Sequence, residues 1–252
     1  MRDLDAFVTE GWNGRLLPSV RSKGGVLAFA NFDDQLIRPD GIPWPPAQIL
    51  QKLFRSGHES AFDDKARAVL TARLGFYCNL QSINSEDAMT WNYFGPLLAA
   101  PQPERVKFIN WLEKKLNPQA KQNRTCDIDL WRRIPHPDNQ GQSGPEVDFT
   151  LIGDRSVVLG EAKWRGTDGK GQGQYGNKTQ LQLRSEFLQK YGKVIYGGRD
   201  LYVLYITLDQ QQAAAPQLPL VSHLTWDDLL QYQDHPMFDE VDRYFKWKRA
   251  HM

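Results

Sequence analysis

An aspartate and a glutamate–lysine pair, separated by a predicted hairpin, are the residues best suited to chemistry in this sequence. Asp148 lies in the alternating segment 147–152, and Glu161 and Lys163 lie two positions apart in the next alternating segment, 157–164. Residues i and i+2 of a strand project from one face, about 7 Å apart. Glu161 and Lys163 are therefore expected side by side at the end of an apolar strand, where Asp148 from the neighbouring strand can meet them.

Two carboxylates and one ammonium group in this arrangement suit a divalent-metal site. Mg²⁺ prefers hard oxygen ligands in a near-octahedral shell and usually keeps several waters. Asp148, Glu161 and the backbone carbonyl that follows Glu161 could supply three protein oxygens and leave room for water and a phosphate oxygen. Lys163 could orient or help deprotonate the attacking water and offset the charge that develops on phosphorus.

The spacing resembles the PD-(D/E)XK nuclease superfamily, whose members have the restriction-endonuclease-like fold. Residues 145–148 (PEVD) are similar to the first half of its motif, and residues 160–164 (GEAKW) to the second half. The proline is not adjacent to the aspartate, which departs from the family's literal motif. The resemblance extends over residues 86–230 and implies a nuclease that holds Mg²⁺ or Mn²⁺ on Asp148 and Glu161, with Lys163 as a catalytic residue.

Two further site residues are implied by the same resemblance. Many superfamily members carry a glutamate on a helix that precedes the sheet, and Glu86 is the candidate here for a further metal ligand. Several branches direct a glutamine of the following helix at the active site, and Gln180 is that candidate. Each residue also has an ordinary interpretation. An acid at a helix N-terminus compensates the helix dipole, and a glutamine is common on a polar helix surface.

A basic, glycine-rich loop, residues 165–178, follows the predicted catalytic strand directly. Arg165, Lys170 and Lys178, together with Arg184 on the next predicted helix, are the predicted contacts with a nucleic-acid backbone. Lysine and arginine suit this role because they neutralise phosphates without reading the base sequence. The loop therefore predicts a clamp on a nucleic-acid strand beside the site.

Three alternatives stay open on the sequence alone. A Glu-x-Lys pair is often the solvated face of a sheet, with a weak surface ion pair. The same fold can serve as a nucleic-acid-binding or protein-interaction module that does not cleave, although all three core residues are present here. The glycine-rich loop could bind a nucleotide, but residues 171–179 miss the P-loop pattern because Asn177 stands where the lysine must follow the second glycine.

The elements around the motif predict an α/β fold. The predicted helices cover residues 47–54, 59–81, 84–94, 103–116, 180–191, 226–232 and 237–248. The predicted strands cover residues 126–134, 147–152, 157–164, 201–208 and 221–224. We therefore predict a central mixed β-sheet flanked by helices, with a mainly helical N-terminal part, and the resemblance implies that this fold is restriction-endonuclease-like.

Length and composition fit one large domain or two small ones. Residues 1–46, which include the rigid proline-rich segment 38–46, are predicted as an N-terminal arm, and residues 47–252 as the nuclease-like domain. The alternative is one compact domain that includes the arm. The net charge of +1 means that phosphate binding has to come from local clusters of basic residues.

The remaining features predict a cytoplasmic protein. Cys78 and Cys126 are far apart, as expected of reduced thiols, and no apolar run approaches membrane length. The motif and the resemblance together imply a metal-dependent endonuclease that acts on DNA, with RNA as the alternative substrate, and no membrane partner is expected. The resemblance implies a bacterial or phage setting of restriction, anti-phage defence or DNA repair. A homodimer would be the simplest way to cut both strands.

Overall fold

The computed structural model describes residues 7–53, 59–134, 144–165, 177–209 and 217–251. The chain divides into two compact units, residues 1–96 with 237–252 and residues 97–236. This division differs from the predicted boundary at residue 46. The reason is that Val20 and Ala28, from the predicted arm, share a hydrophobic core with residues that follow them, such as Val69 and Tyr77.

Most of the predicted elements are confirmed. The described strands are β1 (Phe7–Glu10), β2 (Leu16–Arg21), β3 (Leu27–Phe29), β4 (Cys126–Arg133), β5 (Glu146–Gly153), β6 (Ser156–Ala162), β7 (Asp200–Thr207) and β8 (Val221–Thr225). The described α-helices are α1 (Ala47–Lys52), α2 (Asp64–Thr71), α3 (Glu86–Ala99), α4 (Gln102–Leu116), α5 (Gln180–Tyr196), α6 (Trp226–Leu229) and α7 (Phe238–Ala250). None of the helices in the described ranges has the length and apolar character needed to cross a membrane.

The first unit contains the antiparallel sheet β1-β2-β3, which the prediction of a mainly helical N-terminal part did not include. The long helix predicted over residues 59–81 is wrong. The chain instead forms the short 3₁₀ turn Glu59–Ala61 and then α2, and Gly75 has a φ of +76°, which an α-helix excludes. The buried side-chain amide of Gln81 donates hydrogen bonds to backbone carbonyls of β3 and α2, so a polar side chain links these elements where a continuous helix was expected.

The second unit contains a mixed five-stranded sheet in the order β4-β5-β6-β7-β8. Strands β4, β5 and β6 are antiparallel neighbours, whereas β6, β7 and β8 are parallel. Helices α4 and α5 pack on the sheet, which confirms the predicted α/β class. All residues of β6 are buried, and this strand is hydrogen-bonded on both sides. The sheet therefore holds the strand that carries Glu161 between two rigid neighbours.

A buried carboxylate joins α4 to this sheet. The Glu113 residue is 1% exposed and accepts hydrogen bonds from the Asn123 amide, at 2.9 Å, and from the Ser156 hydroxyl. Both partners are neutral, so they do not balance a negative charge. Burial raises the pKa of Glu113 from 4.5 to about 7. The folded protein therefore favours the protonated form of this side chain.

We expect Glu113→Gln to raise the free energy of unfolding of the second unit at pH 8. A pKa that is higher in the folded chain gives stability that is complete below about pH 4.5 and is lost as the pH rises through about 7. The loss amounts to about 3 kcal/mol, and glutamine avoids it because it can donate to Ser156 and accept from Asn123 without a charge. Urea unfolding at pH 5 to 8 measures this. Glu104→Gln on the same helix is the control, and an unchanged pH dependence in Glu113→Gln would contradict the prediction.

Candidate active site

The hairpin formed by β5 and β6 carries Asp148 and Glu161 on neighbouring strands. The register pairs Thr150 with Leu159 and Phe149 with Gly160, and the two acids come directly after this last pair along their strands. The Asp148 carboxylate accepts a hydrogen bond from the backbone N–H of Ala162 through Oδ2, at 2.8 Å. Asp148 is therefore held against the one residue that separates Glu161 from Lys163.

Glu161 is completely buried, with an exposed fraction of 0%. Its Oε1 atom lies 2.6 Å from Nζ of Lys163, and its Oε2 atom lies 2.5 Å from Nη2 of Arg184. Neither oxygen receives a well-aligned hydrogen bond from the described residues. Complete burial excludes the interpretation of the Glu-x-Lys pair as a solvated surface ion pair.

The charges around Glu161 balance one another. Burial raises the pKa of Glu161 above its usual value, whereas the guanidinium of Arg184 lowers it; the Asp148 carboxylate raises it, and Lys163 lowers it. When all four groups are ionised, the two carboxylates and the two cations cancel. The completely buried Glu161 thus has one cation against each of its oxygens, whereas Asp148 is only half-buried.

The lysine of the motif is held at its backbone and at its side chain. The N–H of Lys163 donates to the carbonyl of Ile206 on β7, at 2.8 Å, and the carbonyl of Lys163 accepts from the Trp226 indole, at 2.9 Å. Its Nζ atom donates to Oε1 of Gln180, at 3.3 Å. Gln180 is the first residue of α5, which is capped by the hydroxyl of Thr179. The structure therefore brings Gln180 to Lys163, beside the motif.

Arg184 lies in a different environment from the one predicted. It is one helical turn beyond Gln180, and only 1% of its side chain is exposed. A buried guanidinium that is paired with Glu161 is not available as a surface contact for a backbone phosphate, so the predicted role in nucleic-acid binding is not supported. Sequence reasoning missed its pairing with Glu161. The available signal was the four-residue spacing from Gln180, which places both side chains on one side of α5.

The other predicted contacts lie at the ends of the glycine-rich loop. Arg165 is exposed and comes two residues after Lys163, and Lys178 is paired with Glu186 at 2.6 Å. Lys170 lies outside the described residues. Arg165 and Lys178 therefore keep the surface positions that a contact with a nucleic-acid backbone requires.

Glu86 begins α3 in the first unit. The hydroxyl of Ser85 accepts a hydrogen bond from the N–H of Ala88 and so caps this helix. An acid in the first turn of a capped helix is stabilised by the helix dipole. The contribution of Glu86 to a metal site stays a prediction.

Two residues that the sequence did not assign to the site lie beside Glu161 in the register of the parallel strands. Tyr205 on β7 is the register partner of Glu161, and His223 on β8 is the register partner of Tyr205. Nε2 of His223 lies 2.7 Å from the hydroxyl of Thr207. That hydroxyl donates to the carbonyl of Asp209, so it accepts from His223. The hydrogen bond gives His223 a fixed orientation.

The donor atoms fit a Mg²⁺ or Mn²⁺ ion. Within the described part of the chain, no group of three or more His, Cys, Asp and Glu side chains is arranged to hold a metal. Mg²⁺, however, is commonly bound through one or two carboxylates, with waters and substrate phosphates completing its shell. Asp148 and Glu161 supply two such carboxylates, and a metal at Glu161 would share its oxygens with Lys163 and Arg184 or replace these cations.

Known proteins give no assignment for this site. The chain has no match among protein-family models, curated proteins or solved structures. Its function therefore has to be inferred from the chemistry of Asp148, Glu161 and Lys163 and of the groups that surround them.

Proposed function

We propose that the protein is a metal-dependent nuclease that hydrolyses phosphodiester bonds of DNA as an endonuclease. The observation that carries the proposal is the convergence of Asp148, Glu161 and Lys163 at the end of one hairpin, with Asp148 bonded to the intervening residue. Both carboxylates are hard oxygen donors, and the lysine supplies the positive charge that phosphoryl transfer requires. A surface ion pair would not explain why Glu161 is completely buried.

The sheet supports the same proposal at the level of fold. In the second unit, β6 is antiparallel to β5 and parallel to β7, and helix α5 leads from the motif strand into β7. A mixed sheet with the acids on its antiparallel hairpin is the arrangement expected of a restriction-endonuclease-like domain. The proposed site thus lies at the strand where the sheet changes from antiparallel to parallel pairing.

The residues of the chain have separate tasks in the proposed reaction. Asp148 and Glu161 would hold the metal, which when bound lowers the pKa of water and polarises a phosphate oxygen. Lys163 places a positive charge where negative charge develops on the phosphoryl group. Gln180 holds the lysine amine, and the N-terminus of α5, where Gln180 lies, adds the partial positive charge of a helix start.

Arg165 and Lys178 are the proposed contacts with the DNA backbone. Arg165 is exposed close to the motif, and Lys178 would exchange its ion pair with Glu186 for a phosphate. Such contacts make binding depend on salt concentration but not on sequence. They leave the choice of cleavage site to other parts of the protein.

We expect the purified full chain to cut supercoiled plasmid with Mg²⁺ or Mn²⁺ and not with EDTA. In Asp148→Asn the side chain keeps its shape but loses the charge that holds the metal, so cleavage should fall close to background. Asp127→Asn, on the exposed side of β4, is the matched control and should cut like the parent protein. Single-stranded DNA and RNA, tested in parallel, identify the substrate.

Three results would contradict the proposal in different ways. Cleavage that continues in EDTA would show that the reaction does not need a metal. Equal cleavage rates for Asp148→Asn and Asp127→Asn would show that Asp148 has no role in the reaction. Binding of nucleic acid without any cleavage would instead favour a module that does not cut.

A further inference from the structure

We infer that Arg184 is a positioning residue, which orients the Glu161 carboxylate for metal binding and leaves Lys163 available for the phosphate. The inference rests on the proposed nuclease function and assigns a task to a residue that does not touch the substrate. It depends on the contacts of Arg184, on its burial and on its place in α5.

The first observation is that one nitrogen of Arg184 joins two strands. Its Nη2 atom lies 2.5 Å from Oε2 of Glu161 on β6 and donates to the backbone carbonyl of Glu146 on β5, at 2.5 Å. These are the two strands that carry the acids of the site. A guanidinium is planar and rigid, so contacts of this kind restrict the direction of the carboxylate that it faces.

The second observation is that the buried position of Arg184 contributes little to the stability of the fold. Its Nε and Nη1 atoms are buried without a hydrogen-bond partner among the described residues. Burying an arginine whose donors are incompletely paired is unfavourable, and a well-packed apolar side chain is often at least as stable in place of a buried ion pair. The arginine is therefore better explained by what it does for Glu161 than by packing.

The third observation is that the two cations are divided between the two oxygens of Glu161. Lys163 faces Oε1, and Arg184 faces Oε2. Without Arg184, Lys163 would be the single cation in contact with a buried carboxylate, and its amine would be held more strongly there. Arg184 thus partly neutralises the Glu161 carboxylate. The amine of Lys163 is then held less strongly by Glu161 and can contact an incoming phosphate.

Helix α5 holds both members of the Glu-x-Lys pair at once. Gln180 accepts a hydrogen bond from Lys163, and Arg184, one turn further along the same helix, contacts Glu161. A single rigid helix therefore sets the distance between the metal-binding acid and the lysine. The exposed face of the helix is not needed for this task.

The test compares Arg184→Met and Arg184→Lys with the parent protein. Arg155→Met, in the exposed turn between β5 and β6, is the matched control. Circular dichroism and thermal unfolding report on folding, and titration calorimetry with Mn²⁺ alone reports on metal affinity without any reaction. Single-turnover cleavage and DNA binding in Ca²⁺ then separate the rate of the reaction from substrate affinity.

We expect Arg184→Met to bind Mn²⁺ about 10- to 100-fold more weakly, as for other residues that orient a metal ligand. DNA affinity should stay at the parent level, because the guanidinium does not reach the substrate. Arg184→Lys should recover part of the metal affinity, since it restores the charge but not the planar contact. Arg155→Met should match the parent in every measurement.

The inference and the proposed function fail in distinguishable ways. If the parent protein neither cleaves DNA nor binds Mn²⁺, the proposed function is wrong. If the parent does both and a folded Arg184→Met binds Mn²⁺ and cleaves as the parent does, only the inference is overturned. Should Arg184→Met not fold, Arg184→Lys decides instead, and parent-like Mn²⁺ affinity and rate in that variant would overturn it.

Discussion

Replacing Lys163 with methionine is expected to lower the single-turnover rate of DNA cleavage by about 10²- to 10³-fold, the usual effect of removing one group that stabilises developing charge. The side chain is 11% exposed, and its amine lies 2.6 Å from Glu161 and 3.3 Å from Gln180. Methionine keeps most of its length and removes the charge. Glu161 keeps Arg184 as a partner, so we expect the variant to fold. Gel-based cleavage at saturating metal measures the rate.

Two comparisons decide whether this effect belongs to the reaction. Lys193→Met, an identical change at an exposed position of α5, should cleave at the parent rate. DNA binding by Lys163→Met, measured in Ca²⁺, should stay close to that of the parent, because the lost interaction strengthens only in the transition state. Equal rates for the two methionine variants would contradict a catalytic role. A loss of binding as large as the loss of rate would make Lys163 a substrate-binding residue instead.

The second large effect is expected at Gly160, which precedes Glu161 in β6. A Cβ atom at this position would lie 2.0 Å from the ring of Phe149, the residue opposite on β5, and that ring is fully buried. Gly160→Ala should therefore destabilise the second unit by about 1–3 kcal/mol, as overpacking of a core does. Because relief of the clash has to shift β5 or β6, which carry Asp148 and Glu161, cleavage should fall as well. Urea unfolding and the plasmid assay measure both effects.

Another glycine of the same unit provides the control. A Cβ at Gly198 would meet nothing within 4 Å, so Gly198→Ala should change the free energy of unfolding by no more than about 0.5 kcal/mol. A second change, Phe149→Leu, should recover part of the stability of Gly160→Ala, because leucine removes the ring that the methyl group meets. A Gly160→Ala protein as stable as the parent would contradict this prediction, because it would show that the buried Phe149 ring can move away from the added methyl group.

The sequence by itself determined the hairpin and the side of it on which the chemistry lies. Alternation over residues 147–152 and 157–164 is a local property, and a period of two assigns each side chain to a face without any knowledge of its neighbours. Asp148, Glu161 and Lys163 were therefore predictable as a group. The four-residue spacing of Gln180 and Arg184 likewise placed them on one side of a helix.

Only the tertiary structure decided which partner each of these groups has. Arg184 was predicted to contact a nucleic-acid backbone, whereas its pairing with Glu161 depends on the face of α5 that packs on the sheet. The indole of Trp226, which binds the carbonyl of Lys163, comes from a segment far along the chain. Tertiary contacts also decided the structure of residues 59–81, where the pattern predicted one helix but the chain is interrupted at Gly75. Periodicity reports which way a residue faces, whereas burial, ion pairs and their energies depend on contacts between segments that the sequence alone does not bring together.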